Sequence, residues 1–372
     1  IKTDTHFLLV ISIVFILMRL PSLIEPAWYG DEGIYQVIGK AILDGRLLYR
    51  DIWDNKPPLL YLVYALVNSE LFYVKLLSLI AGLISIFPFF KLSRELLESR
   101  KAYCVATTVY TLGLGLPIIE GNIANAENFM LLPIVAAFYL FLLYLTKRNL
   151  KYLLLSAILF SIAFLFKAVA IFDVVTVFLL LLFINLSVKP KRIHEISLKR
   201  SSIFKNLNLR IFVVLPFIMA FSLFPFMVLV YFFTHGALTD ILKSVVSDNV
   251  GYVGQENVFL FPIGALVFKT IALLLGVLCL VLNRKKIGFV GFFIILWMIL
   301  SLYNAFFSQR PYTHYLLVLL PSLSLYIGYV FVRQWETALK IVLLVLIWIF
   351  ITLGFDLYKK NILFLAIIFA IY

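Results

Sequence analysis

Two adjacent carboxylates, Asp31 and Glu32, lie in the most polar stretch of the sequence, residues 25–58. A carboxylate within hydrogen-bond reach of a hydroxyl can accept its proton, so the pair is suited to the roles of general base and supporting acid. A structural interpretation is equally open, because Asp31 stands where a helix N-cap belongs and Glu32 where first-turn acids are common. The residue types alone do not decide between proton transfer and helix capping.

A lysine further along the same stretch, Lys56, directly precedes two prolines. Pro57 and Pro58 stiffen the backbone and therefore fix the direction in which the lysine points. An isolated lysine beside a membrane usually extends to the interface along its own alkyl chain. A cation with a fixed position is also suited to bind a phosphate, so Lys56 is a candidate phosphate ligand.

Further ionisable residues stand at the edges of later apolar stretches. Glu127 begins one such stretch, and it is either a first-turn acid or part of a polar site. Lys167 follows another, where it either pairs with Asp173 or joins the same site. Arg310 has lipid headgroups as an alternative partner, and His314 has a structural role as its alternative. Because burying such groups is costly, a functional role is the first hypothesis.

These residues must be positioned by a chain rich in apolar side chains: of 372 residues, 63% are apolar and 14% charged, with a mean hydropathy of +1.06. Soluble domains are about half apolar and about one quarter charged. A chain of this length cannot bury the excess in a soluble core, whereas a bilayer removes the need. We therefore predict an all-α bundle of membrane-spanning helices that forms a single domain over residues 1–372.

Apolar stretches recur along the whole sequence, and a spanning helix needs about 20 apolar residues. Counting the stretches predicts about eleven or twelve crossings of the membrane. They are residues 7–24, 72–90, 103–117, 129–146, 152–166, 168–186, 211–233, 262–282, 288–307, 315–332 and 340–353, with a partial span from residue 361.

The segments that connect the spans alternate in charge, which predicts the orientation of the chain. The net charge of +13 follows from the same bias, so nucleic acid is not expected as a partner. The basic segments, assigned to the cytoplasm, are 91–101, 147–151, 187–210, 283–287 and 333–340. The acidic or mixed segments, assigned to the outer side, are 25–58, 118–128, 234–261 and 308–314.

The first outer loop, residues 25–70, is predicted to contain two helices that do not cross the membrane. The first has an apolar face, so it is expected to lie flat on the membrane surface and to end at Gly45. Residues 57–69 are too short to span, so they lie at the outer interface or enter and leave on the same side. The apolar face of the first helix consists of Ile34, Val37, Ile38, Ala41 and Ile42.

Together these stretches resemble the GT-C class of membrane glycosyltransferases, above all bacterial relatives of the protein O-mannosyltransferases and the lipid A aminoarabinose transferases. The first outer loop carries the resemblance in Tyr29-Gly30-Asp31-Glu32, in residues 45–49 and in Asp54-Asn55-Lys56-Pro57-Pro58-Leu59. Asn125-Ala126-Glu127-Asn128-Phe129-Met130 is similar to the acidic motif of the second outer loop. Lys167 and Arg310-Pro311-Tyr312-Thr313-His314-Tyr315 are similar to later motifs. Many relatives carry further C-terminal spans or a soluble outer domain, so we expect this chain to be truncated at its C-terminus.

The resemblance implies transfer of a sugar from a polyprenyl-phosphate donor to an acceptor hydroxyl or amine. The reaction would take place on the periplasmic or extracellular face of the plasma (inner) membrane. A single displacement through an oxocarbenium-like transition state would invert the anomeric centre. The resemblance makes Asp31 the base, with Glu32 and Glu127 as further catalytic candidates. The candidate cations and donors for the leaving phosphate are Lys56, Arg310, Lys167, His314 and Tyr315.

No cluster of His and Cys has metal-ligand spacing, so no cofactor is expected, although a divalent cation bound by oxygens of Asp31 and Glu127 stays open. The acceptor is left open among protein, lipid and glycan. Two other functions fit the same spans: a transporter or flippase of lipid-linked sugars, and a non-catalytic scaffold subunit. Transporters typically have inverted repeats and charges at the membrane midplane. Here the polar residues gather at one face, which favours the enzyme.

Overall fold

The structure is a computed structural model that describes residues 2–26, 28–184, 186, 188–198, 207–258, 263–310 and 312–332. These residues are mostly helical, because a backbone surrounded by lipid must satisfy its hydrogen bonds within each segment. The helices are α1 (Lys2–Ile24), α2 (Gly30–Leu43), α3 (Leu59–Leu66), α4 (Leu71–Leu96), α5 (Arg100–Gly115), α6 (Ala126–Lys147), α7 (Leu150–Phe166), α8 (Ile171–Phe183), α9 (Leu207–Thr234), α10 (Leu238–Leu242), α11 (Asp248–Glu256), α12 (Gly264–Ala305) and α13 (Leu320–Val332).

Among the described residues, five helices are long and apolar enough to cross a membrane: α1, α4, α6, α9 and α12. The shorter helices α7, α8 and α13 are also apolar. Every predicted span from 7–24 to 315–332 falls on a helix, so the predicted all-α, multi-pass membrane bundle is confirmed. The predicted spans at 340–353 and from residue 361 lie outside the described residues.

α12 combines the eighth and ninth predicted spans in one run that folds back on itself. Gly288 has φ +74°, a left-handed conformation that glycine adopts without a clash of a Cβ atom. The two halves lie side by side, since Thr270 Oγ1 is 2.8 Å from the hydroxyl oxygen of Tyr303. The basic segment 283–287 adjoins this turn, where a short connection between two spans was predicted.

The core of the bundle forms around α6, which packs against α4 and α7. Phe138 of α6 contacts Trp297 of α12 with ring centroids 4.1 Å apart. The indole N–H of Trp297 donates to Asp173 Oδ1 of α8 at 2.7 Å, so the buried carboxylate has a hydrogen-bond partner. The described helices share one apolar core, while a single domain over all of 1–372 stays a prediction.

α2 and α3 lie within residues 25–70, the segment predicted to be the first outer loop. α2 begins at Gly30, its N-cap residue is Tyr29, and no described side chain caps it. The prediction that Asp31 is the N-cap is therefore wrong: its carboxylate lies inside the first turn and accepts a hydrogen bond from the Tyr35 hydroxyl. Gly45, with φ +81°, follows the end of α2 as predicted. α3 has eight residues, which is too short to span a bilayer.

The apolar residues of α2 are divided between two surroundings. Ile34 and Val37 are exposed, whereas Ile38 is buried within the protein, so the predicted single apolar face is only partly right. The cause is the neighbouring α3, which packs against α2 closely. A Cβ atom on Gly39 would lie 2.9 Å from Tyr64 Cβ, so the close approach requires glycine at this position.

Candidate active site

The predicted base and the predicted phosphate ligand lie side by side at the start of α2. Lys56 Nζ is 3.8 Å from Asp31 Oδ2, and the two side chains are 19% and 36% exposed, so both are accessible to a substrate. Tyr35 lies between them. Its hydroxyl donates to Asp31 Oδ2 at 2.9 Å, and its ring centroid is 4.9 Å from Lys56 Nζ. One buried ring therefore positions both the acid and the cation.

The backbone around Lys56 is fixed by contacts from two directions. The hydroxyl of buried Tyr49 donates to the carbonyl oxygen of Lys56 at 2.8 Å. From α11, Asn249 Nδ2 donates to the carbonyl oxygen of Asn55 at 2.6 Å. Together with the two buried prolines that follow, these bonds limit the positions that the lysine ammonium can take.

Tyr35 also connects the first outer loop to the start of α6. Its hydroxyl oxygen is 3.1 Å from Asn125 Oδ1, which accepts the backbone N–H of Ala126 at 2.7 Å and so caps the helix. Burial and then the charge of Asp31 raise the pKa of Tyr35 well above its ordinary value. The hydroxyl therefore keeps its proton and acts as a donor between the two segments.

Glu32 faces away from Asp31 towards the fully buried ammonium of Lys75. Its Oε1 accepts the backbone N–H of Ala124 at 2.7 Å, and its Oε2 is 3.6 Å from Lys75 Nζ. Glu25 Oε2 is also 3.6 Å from the same ammonium. Burial raises the pKa of Glu32 above its ordinary value. Because its side chain has no exposed surface, Glu32 can support the site but cannot touch a substrate.

Glu127, buried in the first turn of α6, forms an ion pair with Lys167 at the end of α7. His314 Nε2 lies 3.7 Å from Glu127 Oε1, so a second nitrogen faces the same carboxylate. The alternative pair between Lys167 and Asp173 is wrong, because Asp173 accepts from Trp297 instead. Helix packing thus brings the three predicted residues Glu127, Lys167 and His314 together.

The second nitrogen of His314 connects it to the segment between α5 and α6. Nδ1 is 2.7 Å from Glu120 Oε2 and 3.0 Å from the hydroxyl oxygen of Tyr29. Thr313 Oγ1 donates to Glu120 Oε1 at 2.7 Å. Burial raises the pKa of Glu120, but the hydrogen bonds from His314 and Thr313 outweigh it, so the pKa lies below its ordinary value. Glu120 therefore remains an acceptor for both groups.

Lys167 and Arg310 each lie against the ring of a tyrosine. Lys167 Nζ lies 4.1 Å from the ring centroid of Tyr315, and Arg310 Cζ lies 4.4 Å from that of Tyr252. The two tyrosine hydroxyl oxygens are 3.2 Å apart. Cation–π contacts of this kind hold a charged group in a fixed place while leaving its N–H groups able to bond an anion.

Sequence reasoning identified the charged residues of this site but missed the groups that connect them. Tyr35 joins Asp31, Lys56 and Asn125, and its position four residues after Asp31 on a helix was an available signal. Glu120 joins two outer segments, and the sequence carried no signal for its partner. Both omissions are residues whose role depends on the packing of helices distant in sequence.

The carboxylates left open as metal ligands already face ammonium groups. Asp31 faces Lys56, and Glu127 pairs with Lys167. Among the described residues, no group of three or more His, Cys, Asp and Glu side chains is arranged to hold a metal ion. The described residues at this site therefore do not fit a dedicated divalent-cation site.

Known proteins resemble this chain in part of its sequence and in its fold. Residues 56–199 match the family model described as dolichyl-phosphate-mannose-protein mannosyltransferase, which covers less than half of the chain. ArnT from Cupriavidus metallidurans bound to undecaprenyl phosphate is 13% identical over 90% of this chain, with a TM-score of 0.52. The oligosaccharyltransferase AglB from Archaeoglobus fulgidus, in complex with an inhibitory peptide and a dolichol-phosphate, is 14% identical over 87% of this chain, with a TM-score of 0.48. A search of curated proteins found no match.

The chain spans 50% of the length of the AglB chain and 62% of the ArnT chain. At this level of identity the likeness to ArnT establishes the fold. Together with the family model, it confirms the resemblance to the GT-C class that the sequence motifs indicated. These comparisons support a membrane glycosyltransferase of that class.

Proposed function

We propose that this chain transfers a sugar from a polyprenyl-phosphate donor to an acceptor on the outer face of the plasma (inner) membrane. The observation that carries the proposal is the distance of 3.8 Å between Asp31 Oδ2 and Lys56 Nζ. A base that takes the acceptor proton and a cation that receives the departing phosphate must both stand beside the anomeric carbon. Here the two groups are neighbours and both are partly exposed, so a donor sugar that enters between them would separate the pair and place one group on each face of the anomeric carbon.

Asp31 is assigned as the general base. The acceptor hydroxyl or amine loses its proton to the carboxylate as its oxygen or nitrogen attacks the anomeric carbon. The bond from that carbon to the phosphate oxygen breaks, and a single displacement inverts the anomeric configuration. Tyr35 holds the carboxylate in place by its hydrogen bond, and buried Glu32 acts as a positioning residue for the turn that carries Asp31.

The departing phosphate is assigned to the cations that the protein has already fixed. Lys56 is the first ligand, and Arg310 is the second. Lys167 is held by Glu127 and by the ring of Tyr315, and His314 faces the same oxygen of Glu127, so these groups are assigned a place behind Lys56 and Arg310. Because these side chains supply the charge, no step is assigned to a metal ion, and turnover in the presence of EDTA tests that assignment.

The acidic and mixed outer segments support an active face directed away from the cytoplasm. Asp31, Lys56, Glu127 and His314 all belong to those segments or to the helix ends that adjoin them. A donor headgroup in the outer leaflet would then meet the site at the depth of its phosphate. The acceptor would approach from the periplasmic or extracellular side.

The experiment is turnover of a lipid-linked sugar by the purified chain in nanodiscs. A radiolabelled polyprenyl-phosphate-hexose is supplied with acceptor mixtures of protein, lipid or glycan, and release of polyprenyl phosphate is measured. We expect release with the wild type and loss with Asp31→Asn. In vesicles, movement of the intact donor between leaflets without cleavage, unaffected by Asp31→Asn, would instead establish the flippase and overturn the enzyme.

A further inference from the structure

A cavity of about 610 Å³ lies between the first outer loop and the helical run 238–256. Asn55 lines it on one side and is the residue directly before Lys56. Tyr252 lines it on the other side and contacts Arg310, whose Cζ is 4.4 Å from the ring centroid. The cavity therefore adjoins the two cations assigned to the donor phosphate.

The wall formed by the helical run is polar, whereas its opposite side is apolar. Leu242, Val246 and Val250 are exposed on that opposite side. A surface helix ordinarily turns its apolar residues inward. The reversed arrangement fits a run that rests on the membrane interface by its apolar side and covers the cavity with its polar side. The polar or small residues on the cavity side are Asp240, Ser244, Ser247, Asp248, Gly251 and Gln255.

The middle of this wall is a π-helical turn, Lys243–Ser247, between α10 and α11. Such turns are rare in proteins and occur frequently at functional sites. Two hydrogen bonds join the helical run to the first outer loop. In the first, Trp53 Nε1 donates to Asp248 Oδ2 at 3.1 Å. The bond from Asn249 to the Asn55 carbonyl adds a second attachment. The cavity is thus an open groove whose two walls are joined by these hydrogen bonds.

The charges and rings around the cavity determine which ligand it suits. Asp240 and Asp248 outnumber Lys243, so a phosphate is repelled, whereas hydroxyl groups can donate to the carboxylates. Ser247 adds a further hydroxyl. The indole of Trp53 is 57% exposed and offers a flat apolar surface of the kind on which the C–H face of a sugar ring can rest.

We propose that this cavity binds a saccharide ring, carried either by the donor lipid or by the acceptor. The choice of the donor lipid and the acceptor as the two carriers rests on the proposed function. A ring in this position would stand beside Asn55 and Tyr252, and hence next to the phosphate ligands. A peptide acceptor would not require the paired carboxylates and the exposed indole.

The test compares Ser247→Leu, which fills the cavity, with Val246→Leu on the outward side of the same turn. Asp240→Asn is a second variant, because it changes charge and not volume. Binding of polyprenyl phosphate, polyprenyl-phosphate-glucose and polyprenyl-phosphate-mannose is measured in nanodiscs. A cavity for the donor sugar predicts about a tenfold loss of affinity for the sugar-bearing lipids in Ser247→Leu. Affinity for the bare lipid and all values for Val246→Leu should stay unchanged.

A cavity for the acceptor predicts unchanged donor binding and a KM for a saccharide acceptor raised about tenfold in Ser247→Leu. A separate readout does not depend on transfer: saturation-transfer NMR with methyl glycosides of glucose, mannose, galactose and arabinose. Glycoside binding that is lost in Ser247→Leu supports the cavity even if no sugar is ever transferred. Absence of binding to all four glycosides, with no change in either lipid affinity or saccharide KM, overturns it. The proposal is also overturned if Ser247→Leu changes only the KM for a peptide acceptor.

Discussion

Glu120 Oε2 lies 2.7 Å from Nδ1 of His314, a contact between residues that are 194 positions apart in the chain. Glu120 accepts the Nδ1–H and so fixes the direction of the ring. The other ring nitrogen then faces Glu127 at 3.7 Å. Glu120, which lies outside the motif at residues 125–130, thereby sets the position of a predicted site residue.

Glu120→Gln tests this contact through the pH dependence of stability. The pKa of Glu120 in the folded protein lies below the ordinary value of 4.5, because hydrogen bonds from His314 and Thr313 outweigh its burial. A lowered folded pKa contributes stability that is fully present above about pH 4.5 and is lost as the pH falls through the folded pKa. The unfolding temperatures of wild type and variant should therefore differ at neutral pH and converge in acid. A difference that widens in acid would contradict the assignment.

Asp31→Asn and Glu32→Gln should fail in different ways although the residues are adjacent. Asp31→Asn keeps an acceptor for Tyr35 but removes the base, so turnover should fall by about two to four orders of magnitude while donor binding and melting temperature persist. Glu32→Gln leaves the ammonium of buried Lys75 with Glu25 alone, so stability should fall by about 3 kcal/mol. Turnover per folded molecule should be retained, because the glutamine carbonyl oxygen still accepts the Ala124 N–H that positions the turn. Near-normal turnover in an Asp31→Asn variant that melts earlier would make Asp31 a structural residue.

Lys56→Ala should weaken donor binding and turnover together. The phosphate meets this cation before and during departure, and a lost charge-assisted hydrogen bond costs about 1.5–3 kcal/mol. Lys56→Arg should rescue only part of the loss, because a planar guanidinium does not replace a compact ammonium. Lys40→Ala, an exposed lysine on α2, is the matched control and should bind donor normally. Equal losses in both alanine variants would show a general effect of surface charge.

The orientation of the chain can be checked independently of activity. A reporter fused after Arg200 should be cytoplasmic, because residues 187–210 carry seven Lys and Arg residues against one Glu. A reporter inserted within 240–256 should be on the outer side. The opposite pattern would place Asp31 and Lys56 on the cytoplasmic face and would exclude a donor in the outer leaflet.

The spans could be predicted from the sequence because a long apolar stretch has few alternatives to a membrane helix. The candidate charges could be predicted because each lies either in the polar segment 25–58 or at the end of a later apolar stretch. Their partners could not. Capping of α2 was one of two interpretations left open for Asp31, but the N-cap residue is Tyr29, two residues earlier, and the Asp31 carboxylate accepts a hydrogen bond from the Tyr35 hydroxyl. For Lys167 the sequence offered Asp173 as a nearby partner, whereas the packing of α6 against α7 brings it to Glu127.

Glu32 illustrates the same limit. The sequence shows two neighbouring carboxylates, yet successive residues on a helix point in directions about 100° apart. Asp31 therefore reaches the accessible side, and Glu32 reaches the buried ammonium of Lys75. The reversed polarity of the run 238–256 was also missed, since an apolar face in sequence does not reveal whether lipid or protein covers it.

Three helices begin at the site: α2 carries Asp31 in its first turn, α3 starts shortly after Lys56, and α6 starts beside Asn125. The aligned peptide dipoles of a helix place about half an elementary positive charge at its N-terminus. Backbone N–H groups from three separate helices therefore add a field that attracts an anion, and no side-chain substitution removes it. This field explains why first-turn acids are tolerated here. It also means that the Lys56→Ala variant should retain measurable affinity for the phosphate.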